Sequence, residues 1–274
     1  MLTGDPEGFA RLTGEITRAA GMQLADYKEK VLRRRIAVRM RARDVTTYGE
    51  YGDLLARDPE ELEKLKDALT INVTRLYRNP ETWDKLRSLV LPELLARREG
   101  AVRIWSAGCS SGEEPYTLAL CLAEECERAG HPEWVGRATI VATDIDPLIM
   151  DRARAGRYAA SAFMEMPPAL AQRWFRDAGE GQREVVPALK RMVQVRRQDL
   201  LRDPAPSPPY ELVVCRNVVI YFDREGQERL FQGFVDALVP RGYLLLGKVE
   251  TLFGPARDRL ELLDVRERIF RRLA

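Results

Sequence analysis

Two hydrophobic rhythms divide this chain. Over residues 1 to about 75 the apolar positions recur at helical spacing. Phe9, Leu12, Ile16 and Ala20 step along one face, and Leu32, Ile36 and Met40 repeat every four residues. The pattern predicts a first helix ending at Gly21 and a second, capped by Asp26, from Tyr27 to about Arg43. Two more follow over 46–56 and 59–69, the last opened by Asp58-Pro59 as cap and first helical residue. Residues 70–80, TINVTRLYRNP, lose the period and lead into a helix over 81–98.

Beyond residue 100 the rhythm changes to short apolar runs separated by helices. Strands are predicted around Val102–Trp105 and over 138–143, 192–195, 212–215 and 243–246, with a closing pair over 260–265 and 268–273. Helices follow at Glu113, at Asp146-Pro147 and over 227–238, and Pro240-Arg241-Gly242 reads as a turn. Strand–helix alternation closed by a hairpin predicts an α/β fold, a mostly parallel sheet with one antiparallel strand. Residues 157–191 break the alternation with a short helix (169–175) and a Gly179/Gly181 turn between two short strands. The predicted organisation is a helical domain over 1–75 and an α/β domain over 76–274, with a small β-subdomain inserted at 157–191.

The first strand runs into Ser106-Ala-Gly-Cys-Ser-Ser-Gly112, a loop with almost no side-chain bulk, and then Glu113-Glu114-Pro115 at a helix start. So bare a loop lets backbone, Gly108 above all, approach a ligand, and this turn is where doubly wound sheets hold nucleotide-like cofactors. A pyrophosphate wants exposed amides and would be repelled by two adjacent carboxylates. A cofactor with a positive centre and no phosphate would not be, and S-adenosylmethionine fits that description. The blander account is a tight turn before a capped helix. Asp144, at the tip of the second strand, is placed to accept from ribose hydroxyls. Asp146, with proline after it, is the better helix cap and leaves Asp144 for a ligand.

Composition narrows the chemistry. Forty-four basic against 42 acidic residues leave +2, which gives no global signal for polyanions such as nucleic acid. No apolar run of about eighteen residues occurs and the first residues do not read as a signal peptide, so a cytoplasmic protein without membrane insertion is expected. The four cysteines form no CxxC pair and His131 is the lone histidine. Multi-histidine metal sites and histidine-dependent acyl transfer are therefore excluded, and no metal is expected. The second helix carries Lys28, Lys30, Arg33, Arg34, Arg35, Arg39, Arg41 and Arg43 against Glu29 alone, with Lys30, Arg34 and Arg41 along one line. A solvated face or a docking face for an acidic partner would both produce this run. The string Ser207-Pro-Pro-Tyr210 matches the Pro-Pro-aromatic motif of amine N-methyltransferases, but here it precedes a strand instead of following one.

Four stretches, WSAGCSSGEEPYTLAL, ATDIDPLIMDRARAGRY, ELVVCRNVVIYFD and INVTRLYR, resemble in sequence and spacing the CheR family of chemotaxis receptor glutamate methyltransferases. The resemblance covers nearly the whole chain. It implies a class I S-adenosylmethionine-dependent methyltransferase (Rossmann-like), with chemoreceptor glutamates as acceptors and S-adenosylhomocysteine as product; a monomer is expected. It puts cofactor positions on Asn72, Thr74, Arg78, Glu114, Asp144, Asp199, Leu200, Asn217 and Val218, and Arg78 and Tyr221 near the reaction centre. Departures are Leu76-Tyr77-Arg78-Asn79 for the usual Phe-Phe-Arg-Asp, Asp199 for Asn, and Gly247-Lys248-Val249-Glu250 for Gly-His-Ser-Glu, whose role is left open. A glutamate acceptor is already anionic near pH 7, so no general base is needed. The implied chemoreceptors are helical bundles bearing acidic residues, which would give Lys30, Arg34 and Arg41 a docking role. Rival readings are a methyltransferase for nucleic acid or a small molecule, and a non-catalytic cofactor-binding signalling protein.

Overall fold

The computed structural model describes residues 5–20, 24–69, 74–96 and 101–274, with Ala20 described by its backbone alone. Contacts group the chain into two compact units, Met1–Asn72 with Ile220–Gln227, and Val73–Val219 with Glu228–Ala274.

In the first unit, helices α1 (Pro6–Ala20), α2 (Glu29–Ala42), α3 (Tyr48–Arg57) and α4 (Pro59–Leu69) enclose the predicted apolar stripe. Leu12, Ile16, Ile36, Met40, Tyr51 and Leu65 are all buried. Lys28, not Asp26, stands before α2, because Asp26 is taken up in a 3-10 turn whose carbonyl accepts from Asp223 N. Gly21 lies outside the described residues. Thr47 and Glu50 form a reciprocal capping box on α3, and Asp58 accepts from Glu61 N at 3.0 Å as the cap of α4.

Much of the basic run on α2 is used inside this unit. Glu61 has no exposed surface and receives Arg39 (2.6 and 3.0 Å), Arg43 (3.3 Å) and the Tyr51 hydroxyl (2.8 Å). Burial alone would raise the Glu61 pKa; those donors outweigh it and hold the pKa below its ordinary value. Arg33 sits 3.9 Å over the Phe9 ring and Arg35 donates to the Ala68 carbonyl.

In the second unit, α5 (Pro80–Lys85) passes through one wide π-type turn into α6 (Leu91–Ala96); the predicted end of this helix, 97–98, lies outside the described residues. There follow β1 (Val102–Ala107), α7 (Glu113–Arg128), β2 (Ala138–Asp144), α8 (Pro147–Ala155), β3 (Arg157–Ala159), α9 (Pro168–Trp174), β4 (Phe175–Asp177), β5 (Gln182–Val185), α10 (Pro187–Lys190) and β6 (Val193–Arg197). The chain closes with β7 (Tyr210–Cys215), α11 (Arg224–Ala237), β8 (Leu238–Leu246), β9 (Leu260–Asp264) and β10 (Ile269–Arg272). The main sheet runs β6-β2-β1-β7-β8-β10-β9, and β10 alone is antiparallel to its neighbours; β3-β5-β4 form a small antiparallel sheet. This is the predicted fold class. Chain order reverses between β1 and β7, the switch point where such sheets bind ligands at their carboxyl edge.

One predicted turn is instead part of a strand. Pro240-Arg241-Gly242 lies inside β8 as a wide bulge, because β7 pairs Tyr210 with Leu238 and then Leu212 with Tyr243. Pro240 cannot donate to the ladder and Arg241 takes φ 59°, so the extra residues loop out and pairing resumes.

Replacing Glu61 by alanine would leave Arg39 and Arg43 facing a void. The expected cost is about 3 kcal/mol of stability for the helical unit, read as a lower urea midpoint, with Glu61→Gln less damaging.

Candidate cofactor and acceptor site

The loop after β1 is held by β2. Gly108 N and Cys109 N both donate to the Thr143 carbonyl at 2.8 Å, Ser110 N donates to Asp144 Oδ2 at 2.8 Å, and Gly112 N to the Cys109 carbonyl at 3.0 Å. Gly108 is obligatory for two reasons: φ is +78°, and a Cβ there would lie 2.5 Å from Val218 Cγ2. The predicted close approach is therefore, within the protein, to the turn after β7.

This wiring tests which ligand the loop suits. Its leading amides are already satisfied, so no nest is left for a pyrophosphate. What remains are acceptors. Asp144 takes Ser110 N and, at 3.2 Å, Asp146 N, and each oxygen keeps a second lone pair. Asp146 caps α8 through Leu148 N (2.9 Å) and Ile149 N (3.4 Å), as predicted. Gln198 Oε1, on a residue 3% exposed whose amide binds the Asp144 carbonyl, has no donor among the described residues. The donor set fits a cationic nucleoside without phosphate.

Glu114, in the first turn of α7, accepts from Ser106 Oγ at 2.8 Å, and its other oxygen is 4.0 Å from Arg216 Nη1. Burial pushes its pKa up to about 7, with the guanidinium pulling the other way. Burial likewise raises Asp144 and Glu250 against their backbone donors.

Arg216 is the functional candidate that sequence reasoning passed over. Its guanidinium is buried 5.0 Å from the Trp83 ring centroid and donates to the Arg78 carbonyl (3.1 Å) and Asn79 Oδ1 (2.9 Å). Its Nε–H has no partner among the described residues. An arginine directly after the apolar run Leu212–Cys215 was the available signal. It ties Glu114 to the corner at 76–79, where Tyr77 and Asn79 adopt φ near 60°. Leu76 N to the Ala162 carbonyl (3.0 Å), Tyr77 N to Thr117 Oγ1 (3.0 Å) and Asn79 N to Glu165 Oε2 (2.8 Å) fix that corner. They set Arg78 close enough to act electrostatically on Glu114. Thr74 is half-buried beside it in sequence. Asn72 lies outside the described residues.

After β7, Asn217 takes φ 62°, and Glu250, 2% exposed, accepts from Gly247 N (2.6 Å), Val218 N (2.9 Å) and Val219 N (2.8 Å). The loop whose role the sequence left open thus clamps the Asn217-Val218 turn. Lys248 in it lies 3.3 Å from Glu81 and 3.2 Å from Glu267, and Val249 is exposed. After β6, Asp199 accepts from Leu201 N (3.0 Å) and donates its own amide to Asp203, with Leu200 half-buried next to it. Gly108, Asp144, Asp199, Asn217 and Val218 therefore share the carboxyl edge of the sheet. Tyr221 belongs to the other unit, where its carbonyl accepts from Lys28 N at 3.0 Å. Lys30, Arg34 and Arg41 are all exposed on α2. His131 stacks on Trp134 at 4.0 Å on the surface, and all four cysteines are buried and free. Among the described residues no group of three or more acidic, histidine or cysteine side chains could hold a metal ion, and no helix is long and apolar enough to cross a membrane.

Fold and acceptor-lined loop together define a class I S-adenosylmethionine-dependent methyltransferase. Residues 7–70 match the model of the CheR methyltransferase all-alpha domain, and residues 72–269 that of the CheR methyltransferase SAM-binding domain. The chain belongs to the CheR methyltransferase family and is a protein-glutamate O-methyltransferase of the chemotaxis type. It is 36% identical to the chemotaxis protein methyltransferase of Listeria monocytogenes over 96% of this chain and 97% of that one. With the protein of the same name from Salmonella typhimurium it shares 34% over 91% and 85%. Solved structures similar to it include the N-methyltransferase NodS of Bradyrhizobium japonicum, at 16% identity and TM-score 0.39 over 73% of this chain and 100% of that one.

Gly108→Ala should abolish binding of S-adenosylhomocysteine, since the new methyl group meets Val218 in a strained backbone. Adding Val218→Ala should recover part of that binding in calorimetry, and a Gly108→Ala chain that binds normally would refute the packing argument.

Proposed function

We propose that the site methylates receptor glutamates through the residues just described, and that the division of labour follows the domain limits read from sequence (1–75, 76–274, with 157–191 inserted). The supporting observation is the loop whose Gly108, Cys109 and Ser110 amides are spent on Thr143 and Asp144 and so are withdrawn from any anion. Glu114 would hold the ammonium end of the cofactor and Asp144 its ribose hydroxyls. Asp199 and Leu200 would flank the adenine, and Thr74 and Asn72 would cover the methionine portion. S-adenosylmethionine supplies, when bound, a methyl group on a sulfonium that a carboxylate can displace in line. Asn217 and Val218, held by Glu250, line the reacting edge. Arg78 steers the acceptor carboxylate, and its carbonyl, gripped by Arg216 and Trp83, keeps it from drifting toward the sulfonium. Tyr221 would orient the acceptor through its hydroxyl. The acceptor arrives ionised, so alignment and exclusion of water supply the catalysis.

On α2, Lys30, Arg34 and Arg41 remain exposed after Arg33, Arg35, Arg39 and Arg43 have been used internally. They would dock the acidic helical bundle of a chemoreceptor. Work in the cytoplasm, as a monomer and without nucleic acid, completes the proposal. The decisive assay is transfer of radiolabelled methyl to receptor-bearing membranes. Label released by mild alkali marks an ester, whereas alkali-stable label, or transfer to nucleic acid instead, would favour the rival substrates. No transfer despite cofactor binding would favour a non-catalytic binder.

The Glu114 carboxyl predicts a pH dependence. Only its ionised form attracts an ammonium, so S-adenosylhomocysteine should bind more tightly as pH rises, by up to about tenfold per unit below the Glu114 pKa, levelling off above it. Glu114→Gln should bind weakly and show no such slope in calorimetry between pH 5.5 and 8. Changing Lys30, Arg34 and Arg41 together to glutamate should lower receptor methylation at physiological salt while leaving S-adenosylhomocysteine affinity intact; normal methylation would refute docking.

A further inference from the structure

The second unit carries an open cavity of about 370 Å³, of whose lining the roles above use Thr74 alone. Ser111 and Glu113 of the cofactor loop form part of its wall, with Thr74 and Arg75 from the stretch before the 76–79 corner, Arg152 of α8 and Arg157 of β3. Three guanidinium groups thus meet at one depression in a chain whose total charge is only +2.

Their partners differ. Arg75 lies 3.3 Å from Glu165, and Arg157 lies 2.9 Å from Glu184, which Lys190 also engages at 2.6 Å. Arg152 is exposed, and its guanidinium makes no hydrogen bond or ion pair among the described residues, while its carbonyl accepts from Gly156 N at 3.0 Å. The neighbouring Asp151 pairs with Arg154 instead, at 2.7 Å. Glu113 is the one carboxylate in the lining. It is buried, and both its oxygens lie within hydrogen-bond distance of the Ser111 hydroxyl (2.9 and 2.7 Å), so one carboxylate stands among three guanidinium groups.

We propose that this cavity is a carboxylate subsite for the acceptor segment. It takes an acidic side chain near the glutamate that is methylated, and so favours glutamates set in acidic stretches. The proposal rests on the receptor-glutamate reading above. The cofactor brings a single carboxylate, at its methionine end, whereas the macromolecular substrate carries many. The cavity shares Ser111 and Glu113 with the loop that ends at Glu114, and successive turns of a helical acceptor segment lie about 5.4 Å apart. A guanidinium suits a carboxylate through two parallel hydrogen bonds, and Arg152 has all its donors to give.

Steady-state methylation of receptor-bearing membranes by the full chain tests this with Arg152→Ala and Arg152→Glu, both at an exposed position that folding tolerates. The expected result is a KM for receptor raised roughly fivefold by alanine, the size of one ion pair, and further by glutamate, with kcat and S-adenosylhomocysteine affinity retained. On receptors whose acids flanking the methylated glutamate are changed to glutamine, the unaltered chain and Arg152→Ala should have the same KM. An unchanged KM on native receptors would make the arginines a solvated surface and overturn the proposal. A changed S-adenosylhomocysteine affinity would overturn it by assigning the cavity to the cofactor. If the unaltered chain esterifies no receptor glutamate at all, the underlying reading fails first, and the missing product distinguishes that case.

Discussion

The site depends on how the Thr143 carbonyl and the Asp144 carboxylate use up the amides of Gly108, Cys109 and Ser110. A glycine-rich turn at this place in a doubly wound sheet ordinarily offers donors to an anion. Here β2 takes those donors first, and the loop turns from an anion cradle into a ledge of acceptors. The carboxylates beside the loop conform to that inversion. Glu114 lies in the first turn of the following helix, where its charge also suits the helix dipole, and Asp144 and Gln198 Oε1, which has no donor among the described residues, line the next strand edge. A ligand that is cationic and rich in hydroxyl and amino donors is selected by the arrangement itself.

Such a ledge is costly, since it gathers buried carboxylates at one edge of the sheet. The structure spreads the cost differently at each acid. Glu250 is surrounded by backbone amides and has no ligand role to keep open. Asp144 takes two amides and retains lone pairs. Glu114 receives one hydroxyl and stands 4.0 Å from Arg216, the least satisfied of the three and the one lifted to about 7. Incomplete satisfaction is what a binding group needs, because a carboxylate saturated by its own protein gains little from a ligand. Arg216 serves the same end from the other side. Its contacts to Arg78 and Asn79 fasten the corner that aims Arg78, yet it leaves Glu114 without a direct hydrogen bond.

The architecture was legible in the sequence where periodicity was strong. The four-residue repeat of Leu32, Ile36 and Met40 and the buried runs of β1, β2 and β7 led to the right elements, and the closing hairpin to the single reversed strand. Bulges escape such reading, because Pro240-Arg241-Gly242 carries the same signal whether it ends a strand or interrupts one. Asp26 was misjudged as a cap because its carbonyl is drawn to Asp223, almost two hundred residues away. In the site, the bare loop, Glu114 and Asp144 were readable from residue type. Arg216 and the Glu250 clamp were not, since the partners of each lie far off in sequence and only the folded sheet brings them within reach.

The basic helix shows why counting charges misleads without a fold. Its eight cations look like one docking face, yet Glu61, Asp58, Glu29, the Phe9 ring and a helix-end carbonyl take up Arg39, Arg43, Arg33 and Arg35. Lys28 gives its ammonium to the Ile220 carbonyl, and what is left over is sparse and aligned, namely Lys30, Arg34 and Arg41. The opposite holds at the cavity beside the cofactor loop, where Arg75, Arg152 and Arg157 come from three separate stretches and no run in the sequence announces them. An acidic helical substrate would meet the helix through long-range attraction, which salt screens. At the cavity it would meet bidentate geometry, which depends on where its carboxylates lie along the helix. Encounter and selection would then rest on different cations, and receptor affinity and receptor choice would be separable.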